Sequence, residues 1–138
     1  LLGLLAPAET VLYRSMAGVD RAHAVNSARA VEHLGTEVVV ASALHDVGKT
    51  QAGLGTPGRV AASFAALVAY DQARSWRELG GLRGQIGRYL DHSEIGAAEL
   101  EAAGASGLAV AWAREHHLPS TQQTIAPDLA AALTSADQ

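Results

Sequence analysis

The chain has 138 residues, 10 lysines and arginines against 14 aspartates and glutamates, a net charge of −4, no cysteine and 4% aromatic residues. That length suits one domain burying roughly two thirds of its unfolded surface, and the lack of cysteine excludes disulfides and thiolate zinc sites, leaving histidine and carboxylate as metal ligands. The acidic balance, with arginines scattered singly from Arg14 to Arg114, excludes long nucleic acids as partners, whereas a small phosphorylated metabolite or nucleotide stays compatible.

Alanine dominates and β-branched residues seldom alternate with polar ones, so the pattern predicts an all-α fold. Pro7-Ala8-Glu9 opens a short helix ending near Ala17. Asp20 offers a cap for the next, which carries Ala22, Val25, Ala28, Ala30 and Val31 until Gly35 stops it. Thr36 then caps a very apolar helix through Leu44. Val38-Val39-Val40 has strand composition, but the neighbouring helices and Ala41-Ser42-Ala43-Leu44 favour a buried helix. Gly53-Leu54-Gly55-Thr56-Pro57-Gly58 reads as a loop without the Gly-Lys-Ser/Thr ending of a P-loop. Pro57 starts a long helix to about Trp76, and Gly80-Gly81 breaks the chain. Further helices run from about Leu82 to Leu90, Ser93 to Ala103 and Ser106 to His116, where Pro119 blocks continuation. Pro127 begins a last helix ending with Asp137. The sum is a bundle of seven or eight helices in one domain over residues 1–138, with 1–18 as an N-terminal helical extension.

The chemistry is concentrated in His45-Asp46-Val47-Gly48-Lys49. Imidazole and carboxylate both ligate divalent transition metals, and adjacent helix positions can lean toward one ion beside their turn. Lys49 is the only lysine in the chain and follows one turn later on the same side. His23, His92, the pair His116-His117 and Asp137 complete a ligand-rich set from which only His33 falls out, being placed to favour the negative end of its helix. A short turn between antiparallel helices would bring His23 near His45. Asp91-His92-Ser93-Glu94 has the form of a capping box, which puts His92 in a first helical turn where the dipole keeps its ring neutral. Asp128, just after Pro127, reads as a first-turn dipole partner.

The ordered series His23, His45-Asp46, His92, His116-His117, Asp137, with Gly48-Lys49 after the doublet, resembles the HD-domain superfamily of metal-dependent phosphohydrolases over nearly the whole chain. The resemblance implies a helical bundle in which His23, His45, Asp46 and Asp137 hold one ion and Asp46 bridges to a second held by His92, His116 and His117. Histidine-rich ligation suits iron, manganese, cobalt, nickel or zinc as the divalent metal, one or two ions, and Asp46 and Lys49 are the candidate catalytic residues. Lys49 would offset charge on the phosphate, with Arg59 and Arg21 as secondary phosphate contacts. The His, His-His progression is similar to that of the HD-GYP phosphodiesterases of cyclic dinucleotides, but Leu118-Pro119-Ser120 follows the pair and no Gly-Tyr-Pro occurs. Small bacterial HD hydrolases of nucleotides or dinucleoside polyphosphates are equally similar. The other reading is an HD-fold domain for signalling, or for metal or ligand binding, without turnover. Leu1-Leu2-Gly3-Leu4-Leu5 is too short to span a bilayer, and a cysteine-free chain with no signal segment reads as cytoplasmic. The leucine start leaves open a longer parent protein.

Overall fold

Eight α-helices joined by short 3-10 turns carry the chain, with no strand among the described residues; the computed structural model describes residues 1–138, Thr56 by its backbone alone. The helices are α1 (Pro7–Ser15), α2 (Gly18–Ala30), α3 (Thr36–Leu44), α4 (Thr56–Arg74), α5 (Gly81–Leu90), α6 (His92–Ala102), α7 (Gly107–Glu115) and α8 (Pro127–Ala136). The all-α expectation is met. No helix is long and apolar enough to cross a membrane.

Helix α3 is the axis of the larger core. Every residue from Val38 to Leu44 is buried, against Ala24 and Ala28 of α2, Leu100 of α6, Trp112 of α7 and Leu133 of α8. Burial on all sides explains why its sequence shows no polar face, and why three consecutive valines sit in a helix: packing outweighs their modest intrinsic preference for strand. Gly35 precedes it with φ +100, a conformation that L side chains rarely adopt, so Gly35 is the N-cap and Thr36 the first helical residue rather than the cap. Asp20 also departs from its expected cap position. It lies in the first turn of α2, behind an Ala17 N-cap, and its carboxylate is bonded to Arg59.

A smaller cluster of Ala52, Leu54, Ala62, Ala73 and Ile86 holds α4 and α5 together. The 3-10 segment Val47–Ala52 that follows the His-Asp doublet joins the two cores, with Val47 in the larger one and Ala52 in the smaller. Helix α4 is not continuous, because Ala69 leaves helical geometry (φ −160, ψ 64) and re-aims the rest of the helix. The part beyond the break reaches the α5–α6 junction: Tyr70 donates its hydroxyl to the Leu90 carbonyl, and Arg74 pairs with Asp91. Neither glycine nor proline marks that break, so composition alone predicts one helix there.

Candidate metal centre

Four helices deliver their C-terminal ends to one place. His45 caps α3, Asp91 and His92 follow α5, His116 caps α7 and Asp137 caps α8. A helix C-terminus carries partial negative charge, so four of them gathered together favour a cation. Helix α6 begins at His92 and turns one N-terminus inward against this. His23 reaches the same place from the middle of α2, where its ring centroid lies 5.6 Å from that of His45.

Three of the imidazoles are oriented by the same local device. The Nδ1–H of His45 donates to the Ser42 carbonyl at 2.8 Å, that of His92 to Tyr89 at 2.7 Å and that of His116 to Ala113 at 2.9 Å. Each acceptor lies three residues earlier, on the last turn of the helix just ended. Fixing the proton on Nδ1 leaves Nε2 as a bare lone pair, and the three lone pairs face the Asp46 carboxylate. Asp46 is divided between them. Its Oδ1 lies 3.4 Å from His92 Nε2 and 3.7 Å from His116 Nε2, while its Oδ2 lies 3.6 Å from His45 Nε2 and 2.5 Å from Lys49 Nζ.

Two ligand clusters result. His92, His116 and His117 form a nitrogen-rich one, with His117 Nε2 at 3.3 Å from His92 Nε2. His23, His45 and Asp137 form the other, where Asp137 Oδ1 lies 2.9 Å from His23 Nε2 and 2.8 Å from His45 Nε2. A third grouping, His45, Asp46 and His116, joins the two, and within each the ligand atoms all lie within 4.8 Å of one another. His45 Nε2, Asp46 Oδ1 and His116 Nε2 are buried without any hydrogen-bond partner. The close approach of His45 Nε2 to Asp137 is within ion-pair distance but outside hydrogen-bond geometry. Inward-facing acceptors with nothing to accept are costly unless a cation lies between them, and the donor set fits a divalent metal.

The electrostatics agree. Burial, reinforced by the facing imidazoles of His45, His117 and His92, pushes the pKa of His116 down to about 3. Burial and His92 push that of His117 down to about 4. Both rings are therefore neutral near pH 7, as metal ligation requires. Burial opposes ionisation of Asp137, but the adjacent His45 imidazole, together with the hydrogen bond to His23, outweighs it and holds its pKa at about 2. Asp46 is held well below the carboxylate range, since His92, His45 and Lys49 outweigh its burial. His45 goes the other way: burial lowers its pKa, yet Asp137 and Asp46 raise it more. The space between His45, Asp46 and Asp137 thus attracts positive charge, a proton in the absence of metal.

Of the residues expected to meet phosphate, Lys49 alone reaches the cluster. A cavity of about 410 Å³ opens over it, lined by Val19, His23, Asp46, Lys49, His117 and Asp137. A larger cavity, about 740 Å³, lies elsewhere, between Leu2, Tyr13, Val25 and Val39, and contains none of these ligands. Arg59 spreads its guanidinium across both oxygens of Asp20 at 2.7 and 2.6 Å, and Asp20 also lines the smaller cavity. Arg21 donates to the Met16 and Arg14 carbonyls. His33 is exposed and belongs to none of the ligand groups. Asp128 lies in the first turn of α8, as its sequence position predicts.

The capping box expected at Asp91 is not made. Asp91 is the N-cap of α6, but its carboxylate is buried and accepts from Arg74 Nε and Arg77 Nη1, both at 2.5 Å. Two arginines from across the fold have replaced the local backbone donors. Sequence reading also misses Glu115, whose buried carboxylate accepts the backbone N–H and hydroxyl of Thr124, both at 2.6 Å. That ties the His116-His117 turn to the segment leading into α8. The one local hint was a carboxylate adjoining the histidine pair. Gly48 is a third omission of role. A Cβ there would lie 2.1 Å from the His92 carbonyl oxygen and 2.5 Å from the Gly96 nitrogen. Only glycine lets the doublet's turn approach α6 closely enough for Asp46 and His92 to meet.

Comparison with protein-family models, curated proteins and solved structures gives no match to this chain.

Proposed function

We propose that this chain is a metal-dependent phosphohydrolase of HD-domain type, cleaving a phosphomonoester or phosphodiester of a small molecule, a nucleotide foremost. The observation that carries the reading is Asp46, a buried carboxylate set between two histidine clusters with one oxygen toward each. His23, His45, Asp137 and Asp46 would hold one divalent ion, and His92, His116, His117 and Asp46 a second. Such a pair supplies activated water and a clamp for phosphoryl oxygens.

The chain's own groups do the rest. The three carbonyl-anchored imidazoles keep their lone pairs in place without rearrangement, which is the preorganisation an electrostatic site needs. Lys49 sits at the mouth of the cavity, partly exposed beside Asp46, where its ammonium can meet a phosphoryl oxygen and balance charge that grows there. A cavity of about 410 Å³ accepts a phosphoryl group with part of its leaving group and is within the range of small-molecule sites. Asp20 at the rim has its charge balanced by the bidentate pair with Arg59, so among the lining residues Lys49 is the cation placed to meet an entering phosphate.

The test is hydrolysis of bis(p-nitrophenyl) phosphate and of a nucleotide panel by protein loaded separately with manganese, iron, cobalt, nickel and zinc. Turnover that vanishes in Asp46→Ala supports the reading. No turnover with any metal, from protein shown to bind two ions, would reduce it to a metal-binding domain.

A further inference from the structure

We infer that Lys49 competes with the ion of the His23–His45–Asp137 cluster for one oxygen of Asp46, so that the two metal positions load in a fixed order. The nitrogen-rich position fills first, and the second fills only as Lys49 gives up its partner. The inference rests on the two-ion arrangement proposed above but not on catalysis.

The two oxygens of Asp46 are not equivalent. Oδ1 is buried without a hydrogen-bond partner and faces His92 and His116. No cation has to leave for an ion to bind there, only the proton that His117 Nε2 shares with His92 Nε2 at 3.3 Å, and His92 and His116 are already fixed by the Tyr89 and Ala113 carbonyls. Oδ2 faces His45 but is already engaged by Lys49 Nζ at 2.5 Å. A metal–carboxylate bond is about 2.0–2.2 Å long. An ion on Oδ2 would therefore stand within a few ångströms of the ammonium, in a place where most of the surroundings are protein. Like charges so close, weakly screened by solvent, repel strongly. The ammonium is free to move: Lys49 is at the cavity mouth, on a flexible stem, with water on its open side. His23 and Asp137, the other ligands on this side, are themselves partly exposed, so this half of the site is the adaptable one.

Displacement has a useful result. Once the second ion holds Oδ2, the Lys49 ammonium has lost its counter-ion and faces the cavity. It becomes available to an incoming anion only when both positions are filled. Metal occupancy is thus linked to anion affinity through one side chain.

The experiment is calorimetric titration of metal-free protein with Zn²⁺, in the parent, Lys49→Met and Lys49→Arg, with far-ultraviolet circular dichroism to confirm that each variant is folded. The parent should take up two ions in two resolved steps. Lys49→Met should tighten the second step at least about tenfold, the lower end for close charge pairs, and leave the first within about twofold. Lys49→Arg, which keeps the charge, should stay near the parent. Inorganic phosphate, titrated into protein with one and with two equivalents of Zn²⁺, should bind the parent appreciably only in the second case. Two ions in the parent with a second step unchanged or weakened in Lys49→Met would overturn the competition while leaving the two-ion site intact. Uptake of one ion or none would overturn both.

Discussion

At the scale of single residues, Asp46 has the largest expected effect. Its carboxylate lies in the grouping that joins the two clusters, so in the proposed two-ion arrangement Asp46→Ala removes a ligand from both positions. Elemental analysis of the purified variant should show most of the bound metal gone; content equal to the parent would end the assignment. Lys49→Ala has a different signature. Assayed at saturating metal, so that loading is equalised, it should lower turnover about 30- to 1,000-fold, the range for losing one charge-assisted donor to a transition state. An unchanged rate would take lysine out of the chemistry and leave its contact with Asp46 as a structural pair. The residues that gather at the site were legible in the sequence as an ordered series of histidines and aspartates in a cysteine-free chain. The partners of the arginines were not. Arg59, Arg74 and Arg77 meet Asp20 and Asp91 across 39, 17 and 14 residues, and long flexible cations find their carboxylates only through the fold.

At the scale of elements, the site depends on how closely the doublet's turn meets α6. Gly48→Ala would push a methyl group into the His92 carbonyl and the Gly96 nitrogen, both backbone atoms that cannot rotate aside. Overpacking of this kind costs about 1–3 kcal/mol. A urea melt should report that loss, and metal analysis should show weaker binding at the nitrogen-rich cluster, since His92 moves with α6. A melt matching the parent would mean that the two segments separate freely. Glu115→Ala tests the other joint. It leaves the Thr124 N–H and hydroxyl without their buried acceptor, and a group so orphaned costs about 1–3 kcal/mol. Most helices were legible from periodicity and from Pro7, Pro57 and Pro127 near their starts. The break at Ala69 was not, because what re-aims that helix is Tyr70 and Arg74 docking on α5 and α6.

For the whole molecule, the balance of buried imidazoles sets how stability follows pH. His116 and His117 have folded-state pKa values of about 3 and about 4, below the ordinary 6.5. Between those values and 6.5 the unfolded chain binds more protons than the folded one, so stability falls as pH drops through that window. His45 is raised above 6.5, so its contribution is fully present below that value and is lost as pH rises through its folded pKa. The metal-free protein should therefore melt at its highest temperature near its imidazoles' ordinary pKa, with lower midpoints on either side. Asp46 and Asp137, both depressed, add a further loss only at the acid extreme. Thermal melts in chelator across pH 4 to 9 check this; a midpoint that climbs steadily toward acid would contradict it. Bound metal should flatten the curve at neutral pH, because anything that binds only the folded state stabilises it.

The anchoring of His45, His92 and His116 has a consequence for how freely the sequence around them can drift. Their acceptors are the main-chain oxygens of Ser42, Tyr89 and Ala113, which every amino acid possesses. In sites where a second carboxylate side chain orients a metal-bound histidine, changing that carboxylate weakens the metal. Here no substitution can delete the orienting atom. A saturation library selected for metal retention should accept many residues at positions 42, 89 and 113, within the limits of packing, while accepting few at the histidines themselves. Two chains could then share this centre with little else in common along their lengths.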